Sequence, residues 1–151
     1  MKKEKLVFFI VDDDPFSAAI FRQYLIFEGY RQIHVFNSGK ECLNNLNQEP
    51  DVIILDHHMS PQNGMEVLDR VKERKPGVYV IYVSSDSDTA VIANSLKKGA
   101  FCYIIKGEHE LKNMVNELKK IENDIKLLKF NSFNQSKEIP FTYNRNAFSL
   151  S

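Results

Sequence analysis

Long apolar stretches are missing from this chain. The run at residues 6–11 is the longest near the N-terminus, and it is far too short to span a bilayer. No small-residue cleavage site follows it, which speaks against a signal peptide. An excess of one charge is missing too. Lys and Arg total 20 against 20 Asp and Glu, so the formal net charge is zero and a general nucleic-acid-binding surface is not expected. Cysteine is scarce. Cys42 and Cys102 lie far apart, with no His or Cys partner at metal-binding spacing, and read as reduced packing residues of a cytoplasmic protein. The loop after residues 6–11 lacks the Ser/Thr/Gly-rich cradle that a flavin phosphate needs, and carries negative charge instead.

What remains is ordinary globular composition. Hydrophobic residues make up 43% and charged residues 26% of 151, enough for one domain with its own core. Short apolar runs at 6–11, 33–36, 52–55, 78–83 and 101–105 alternate with helical patterns at 16–27, 38–46, 65–72, 89–96 and 108–129. Ser38 with Glu41 three residues on matches a capping box, and Asp14 before Pro15 reads as an N-cap with proline at the first helical position. Gly29 and Gly99 stand where helices should stop. Strands apolar throughout and separated by helices predict an α/β fold with a parallel sheet covered on both faces. The half-polar second run suits an edge. Beyond residue 129 the pattern changes. The tail, 130–151, is rich in Asn, Ser and Phe without a clear period. It is expected to be mobile or loosely docked through Phe130, Phe133, Phe141, Tyr143 or Phe148.

In an open parallel sheet, ligands bind beyond the carboxyl ends of the strands, so the residues ending each run carry the chemistry. The first run ends in Asp12, Asp13 and Asp14, the third in Asp56, the fourth in Ser84 and Ser85, and the fifth in Lys106. Carboxylates gathered at adjacent strand ends repel and raise one another's pKa. A hard divalent cation relieves this, and Mg²⁺ suits few carboxylates plus water and phosphate oxygens. With a lysine and a hydroxyl added, the set can stabilise a phosphoryl group, and Asp56 can attack phosphorus as a carboxylate nucleophile. Each residue alone has a plainer role as a cap, a turn or a solvated charge. The joint pattern is what points to the chemistry.

That pattern resembles the receiver domain of two-component response regulators over residues 4–129. The matching stretches are Phe9 to Pro15, Ile53 to Met59, Gly64 to Leu68, Val83 to Ser85, and Lys98 to Ala100 leading through Tyr103 to Lys106. The resemblance implies a flavodoxin-like, doubly wound five-stranded sheet of order 2-1-3-4-5 with five helices. It implies Asp56 as phosphoacceptor, and Asp12, Asp13, Asp56 and the backbone carbonyl of His58 as the protein's share of Mg²⁺ ligands. Ser84 and Lys106 would act on the phosphoryl group, with Ser84 and Tyr103 as the switch pair. The implied partner is a sensor histidine kinase or a histidine phosphotransfer protein, docking on the first helix. The implied output is protein–protein binding to an unknown target, with no nucleic acid or membrane involved. A homodimer through the fourth helix, fifth strand and fifth helix is also admitted. The chain would be a signalling switch and not an enzyme beyond phosphotransfer and slow self-dephosphorylation.

Three departures qualify the resemblance. Ser60 and Pro61 stand where the family has proline directly after Met59, so the loop is expected to differ in shape. Gly107 replaces the usual proline after Lys106. A cis bond before a non-proline residue costs about 2.5–4 kcal/mol, so a trans bond is expected there, with some risk of displacing Lys106. His57 and His58 flank the acceptor, but neighbours leaving a strand should point apart, which disfavours a transition metal. His58 and Asp86 are expected to pair across the site and to tune the attack of water. Two other readings stay open. One is a receiver-like binding module that works without phosphate. The other is a haloacid-dehalogenase-type phosphatase, which Phe16 and the lack of a cap domain disfavour.

Overall fold

The computed structural model describes residues 2–149, with side chains described through residue 136. Five parallel strands form one sheet of order β2-β1-β3-β4-β5: β1 Val7–Val11, β2 Gln32–Phe36, β3 Val52–Asp56, β4 Tyr79–Ser84 and β5 Cys102–Ile105. The helices are α1 Pro15–Phe27, α2 Gly39–Asn44, α3 Gly64–Arg74, α4 Thr89–Lys97 and α5 Glu110–Ser149. This is the doubly wound arrangement expected, and the half-polar β2 lies at the sheet edge as expected. Both outer strands are short, with five residues in β2 and four in β5.

Side-chain caps start the first four helices. Asp14 accepts a hydrogen bond from the Phe16 amide at 3.0 Å, with Pro15 at the first helical position. Ser38 accepts from the Glu41 amide at 3.2 Å, and the Glu41 carboxylate reaches back to the Asn37 amide at 3.3 Å. Asn63 caps α3 and Asp88 caps α4 in the same way. β3 is buried along its whole length, because helices cover both faces of the sheet. Phe9, Val11, Ile53, Leu55, Val80 and Tyr82 pack with Cys42 and Leu43 of α2 and Val67, Leu68 and Val71 of α3. The alternate residues Phe8, Ile10, Ile54 and Ile81 point to the opposite face, where Ala18, Phe21 and Leu25 of α1 are buried. Cys42 and Cys102 are free and buried, and burial pushes the Cys42 thiol up to about 12.

Residues 2–115 form one compact unit, and the chain from residue 116 onward forms another. Within α5, Met114, Leu118 and Ile121 are buried, whereas Leu127, Leu128, Phe130 and Phe133 are exposed. The backbone stays helical to Ser149, well past the expected end near residue 129. Helical hydrogen bonds need no apolar period, and the hydroxyls of Ser132 and Ser136 bond back to the carbonyls of Leu128 and Ser132, each at 2.9 Å. The side chains of Phe141, Tyr143 and Phe148 lie outside the described residues. Among the described residues, no helix is long and apolar enough to cross a membrane.

Candidate functional site

β1, β3 and β5 bring three distant segments to one rim of the sheet. Asp12 follows β1, and its amide donates to the Phe36 carbonyl at 3.1 Å, which continues the strand pairing by one residue. Asp56 is the last residue of β3, in register with Val83. One oxygen from each of Asp12, Asp13 and Asp56 lies within 4.8 Å of the other two. Asp12 and Asp56 are buried at 3% and 4% exposure, while Asp13 is exposed and gives the cluster an open side.

Lys106 follows β5 and turns into this cluster. Its Nζ lies 2.8 Å from Asp56 Oδ1 and 3.5 Å from Asp12 Oδ2. The one ammonium thus serves a buried oxygen of each carboxylate. The other Asp12 oxygen accepts from the Asp14 amide at 2.9 Å. Burial raises the Asp56 pKa, and the Asp12 charge raises it further. Lys106 and His58 pull it down, and the net shift is upward. For Lys106, burial works to lower the pKa, but the Asp56 carboxylate and then Asp12 outweigh it, and the net shift is upward. One ammonium among three carboxylates leaves the site short of positive charge. Oxygen-only ligands, two of them buried and served by one shared ammonium, fit a hard divalent cation.

Ser84 ends β4 fully buried, and its Oγ accepts from the Asp86 amide at 3.0 Å. Tyr103 lies beside it on β5, half-buried, and its hydroxyl donates to the Asp86 carbonyl at 2.6 Å. Burial is the first cause of its raised pKa. The Asp86 carboxylate accepts from the Asp88 amide at 2.8 Å. No ion pair joins it to His58 among the described residues, so the expected pairing across the site is replaced by a turn within the β4–α4 loop.

The departures from the family pattern resolve as follows. Among the described residues the cis peptide is Ser60–Pro61, and the Lys106–Gly107 bond is trans as expected. Gly107 adopts φ +155°, which residues with a Cβ rarely take, and this is how the chain leaves β5 with Lys106 still in the cleft. His57 and His58 do not point apart. The chain bends as it leaves β3, and their rings meet edge to face with centroids 4.8 Å apart. No histidine joins the candidate metal group among the described residues, and His34 and His109 are exposed.

One contact was not anticipated from the sequence. Tyr82, fully buried on β4, is hydrogen-bonded through its hydroxyl to His57 Nδ1. Burial lowers the His57 pKa and raises that of Tyr82, which favours a neutral imidazole beside a protonated phenol. The signal was present in the sequence: a tyrosine inside a buried aliphatic strand must find a partner for its hydroxyl. The N-terminus of α3 closes over this pair. A Cβ at Gly64 would lie 2.4 Å from the Asp56 carbonyl oxygen and 2.9 Å from both His57 Cα and the Tyr82 hydroxyl, so only glycine fits.

A family model for the response regulator receiver domain matches residues 8–119. The chain belongs to the response-regulator receiver family. The regulatory protein LuxO of Vibrio cholerae is 26% identical over 123 residues, covering 77% of this chain and 27% of that protein. The transcriptional regulatory protein MalR of Bacillus subtilis is 33% identical over 99 residues, covering 64% of this chain and 42% of that protein. The chain thus spans less than half the length of these curated relatives. A CheY-like response regulator receiver domain from Methanospirillum hungatei superposes with TM-score 0.73 at 26% identity, covering 80% of this chain and 97% of that one. A chain of the CheX–CheY–BeF₃–Mg²⁺ complex from Borrelia burgdorferi superposes with TM-score 0.71 at 24% identity, covering 77% of this chain and 88% of that one, and shares the fold. Receiver domains of this family bind Mg²⁺ at an acidic cluster of the kind formed here, and the family works as a signalling switch in two-component systems.

Proposed function

We propose that this receiver domain, taken as residues 4–129, accepts a phosphoryl group on Asp56 in a Mg²⁺-dependent reaction and signals through protein–protein contacts. The observation that carries the reading is the convergence of Asp12, Asp13 and Asp56 with Lys106 at the carboxyl ends of β1, β3 and β5. Asp12, Asp13, Asp56 and the His58 carbonyl would hold Mg²⁺, which when bound offsets the carboxylate charge and orients the phosphoryl oxygens. The donor is a phosphohistidine of a sensor kinase or phosphotransfer protein in the cytoplasm. Asp56 attacks its phosphorus, an O–P bond forms, the P–N bond breaks, and the imidazole leaves. Lys106 moves from the Asp56 oxygen to a phosphoryl oxygen, and the Ser84 hydroxyl donates to another. Ser84 shares Asp86 with Tyr103, so its movement frees the Tyr103 hydroxyl from the Asp86 carbonyl and lets the ring turn inward. Phosphorylation thereby shifts a two-state population on the face of α4 and β5, where a target or a second copy binds. α1 offers the donor a docking surface, with Phe16 and Phe27 exposed at 73% and 84% and a groove beside Ile20, Tyr24 and Leu111.

The test is incubation with a small acyl-phosphate donor with and without Mg²⁺, read by intact-protein mass. The wild type gains one hydroxylamine-labile phosphoryl group only with Mg²⁺, and Asp56→Ala gains none. Equal labelling of Asp56→Ala, or labelling independent of divalent cation, would overturn the reading.

A further inference from the structure

We propose that Tyr82 is a positioning residue for the receiver reaction: through His57 its phenol anchors the β3–α3 loop that carries His58 beside the acid cluster. This inference rests on the phosphoacceptor reading above.

His57 is the hub of that loop. Its amide donates to the Val83 carbonyl at 2.9 Å, which extends the β3–β4 pairing beyond Asp56. Its carbonyl accepts from the Met59 amide at 3.1 Å and from the Gly64 amide at 2.9 Å, and the second bond closes the loop at its base. The side chain adds a further tie, from Nδ1 to the Tyr82 hydroxyl. His58 lies inside the loop so closed, directly after this hub. Tyr82 is itself held by the core. It is fully buried, packs in the core with Leu55, Val67 and Leu68, and has the Tyr103 ring 5.8 Å away. A rigid phenol from the core therefore sets where the imidazole stands, and the imidazole helps fix the chain direction through His58. Gly64 carries the same constraint from the other side, because α3 begins against the phenol oxygen. Any buried tyrosine needs a partner for its hydroxyl, so what matters is which residue supplies it. This one spends its hydroxyl on the residue next to the phosphoacceptor.

The test uses Tyr82→Phe, His57→Leu and His57→Asn, the last because the asparagine Oδ1 falls near the place of Nδ1 and keeps an acceptor there. Two readouts are taken on the full chain: amide hydrogen exchange at Met59 and Gly64 without metal, and the Mg²⁺ dissociation constant by calorimetry. Tyr82→Phe and His57→Leu should each speed exchange at both amides and weaken Mg²⁺ binding about tenfold, the usual scale for losing a group that orients a ligand. His57→Asn should stay near wild type. In the Tyr82→Phe background, the Asn and Leu variants should become equal. Wild-type exchange and Mg²⁺ affinity in Tyr82→Phe would overturn the proposal, as would an Asn–Leu difference that survives without the hydroxyl. Failure of the receiver reading looks different. In that case the wild type itself binds no Mg²⁺, while the exchange measurements still decide whether Tyr82 anchors the loop.

Discussion

Replacing Lys106 with methionine should weaken the metal-free protein, and Mg²⁺ should repair most of the loss. The side-chain stem survives in methionine, so the change is mainly the ammonium. That ammonium lies 2.8 Å from Asp56 Oδ1 and 3.5 Å from Asp12 Oδ2. At an effective dielectric of about 20, these separations correspond to gross attractions of about 6 and 5 kcal/mol. Most of this is offset by the cost of drawing the three charges out of water. Removing one partner of a buried pair costs about 3–5 kcal/mol. Lys106 keeps 27% of its side chain in solvent, so the expected loss is nearer 2–3 kcal/mol. The assay is urea unfolding followed by far-ultraviolet circular dichroism, in chelator and then in excess Mg²⁺. The gap between variant and wild type should be widest in chelator at pH 7. It should narrow as pH falls, because burial already favours a protonated Asp56 and the variant removes the main force opposing that. A gap that is absent in chelator, or identical with and without Mg²⁺ and at every pH, would show that Lys106 does not balance the carboxylates.

Two further outcomes follow from the same geometry. Asp56→Asn should stabilise the metal-free domain at neutral pH, because burial and the Asp12 charge outweigh Lys106 in disfavouring the Asp56 carboxylate. The folded-state pKa of Asp56 is raised, so the folded chain binds the proton more tightly than the unfolded one, and wild-type stability falls as pH rises from about 3.9 through the folded value. The asparagine variant should lack that fall in a pH series of unfolding curves, and a parallel pair of curves would refute the assignment. Gly64→Ala should cost about 2–3 kcal/mol, since its Cβ meets the Asp56 carbonyl at 2.4 Å and the His57 Cα at 2.9 Å, both backbone atoms; a midpoint shift near zero in urea would contradict that packing.

The parallel sheet, its half-polar edge strand and the rim of acidic, hydroxyl and ammonium groups were legible because they depend on apolar runs and on which residue ends each run, whereas the strand order came with the family resemblance. Val52 to Leu55 is apolar because both faces are covered, and Asp56 is conspicuous because it breaks that run. The caps at Asp14 and Ser38 were legible for the same local reason. What escaped depends on contacts between segments. Nothing near His57 in the chain announces Tyr82, 25 residues on, and the bend that brings the His57 and His58 rings together follows from bonds to Val83 and Gly64. The Asp86 carboxylate was expected to reach His58. The short spacing to Asp88 offered a nearer donor, and the nearer donor won. The length of α5 escaped because an apolar period marks the part of a helix that is buried, not where the helix ends.

The sheet is open at both sides, and its outermost strands carry no long row of free amides and carbonyls. β5 offers four residues and β2 five, with Val35 and Ile105 each 43% exposed. Another chain adding itself as a sixth strand would find few ladder bonds before the backbone turns away at Gly107 or at the cap of α2. Brevity at these rims guards the molecule against sticking to its own kind, and lengthening either strand by a few alternating apolar residues would remove that guard.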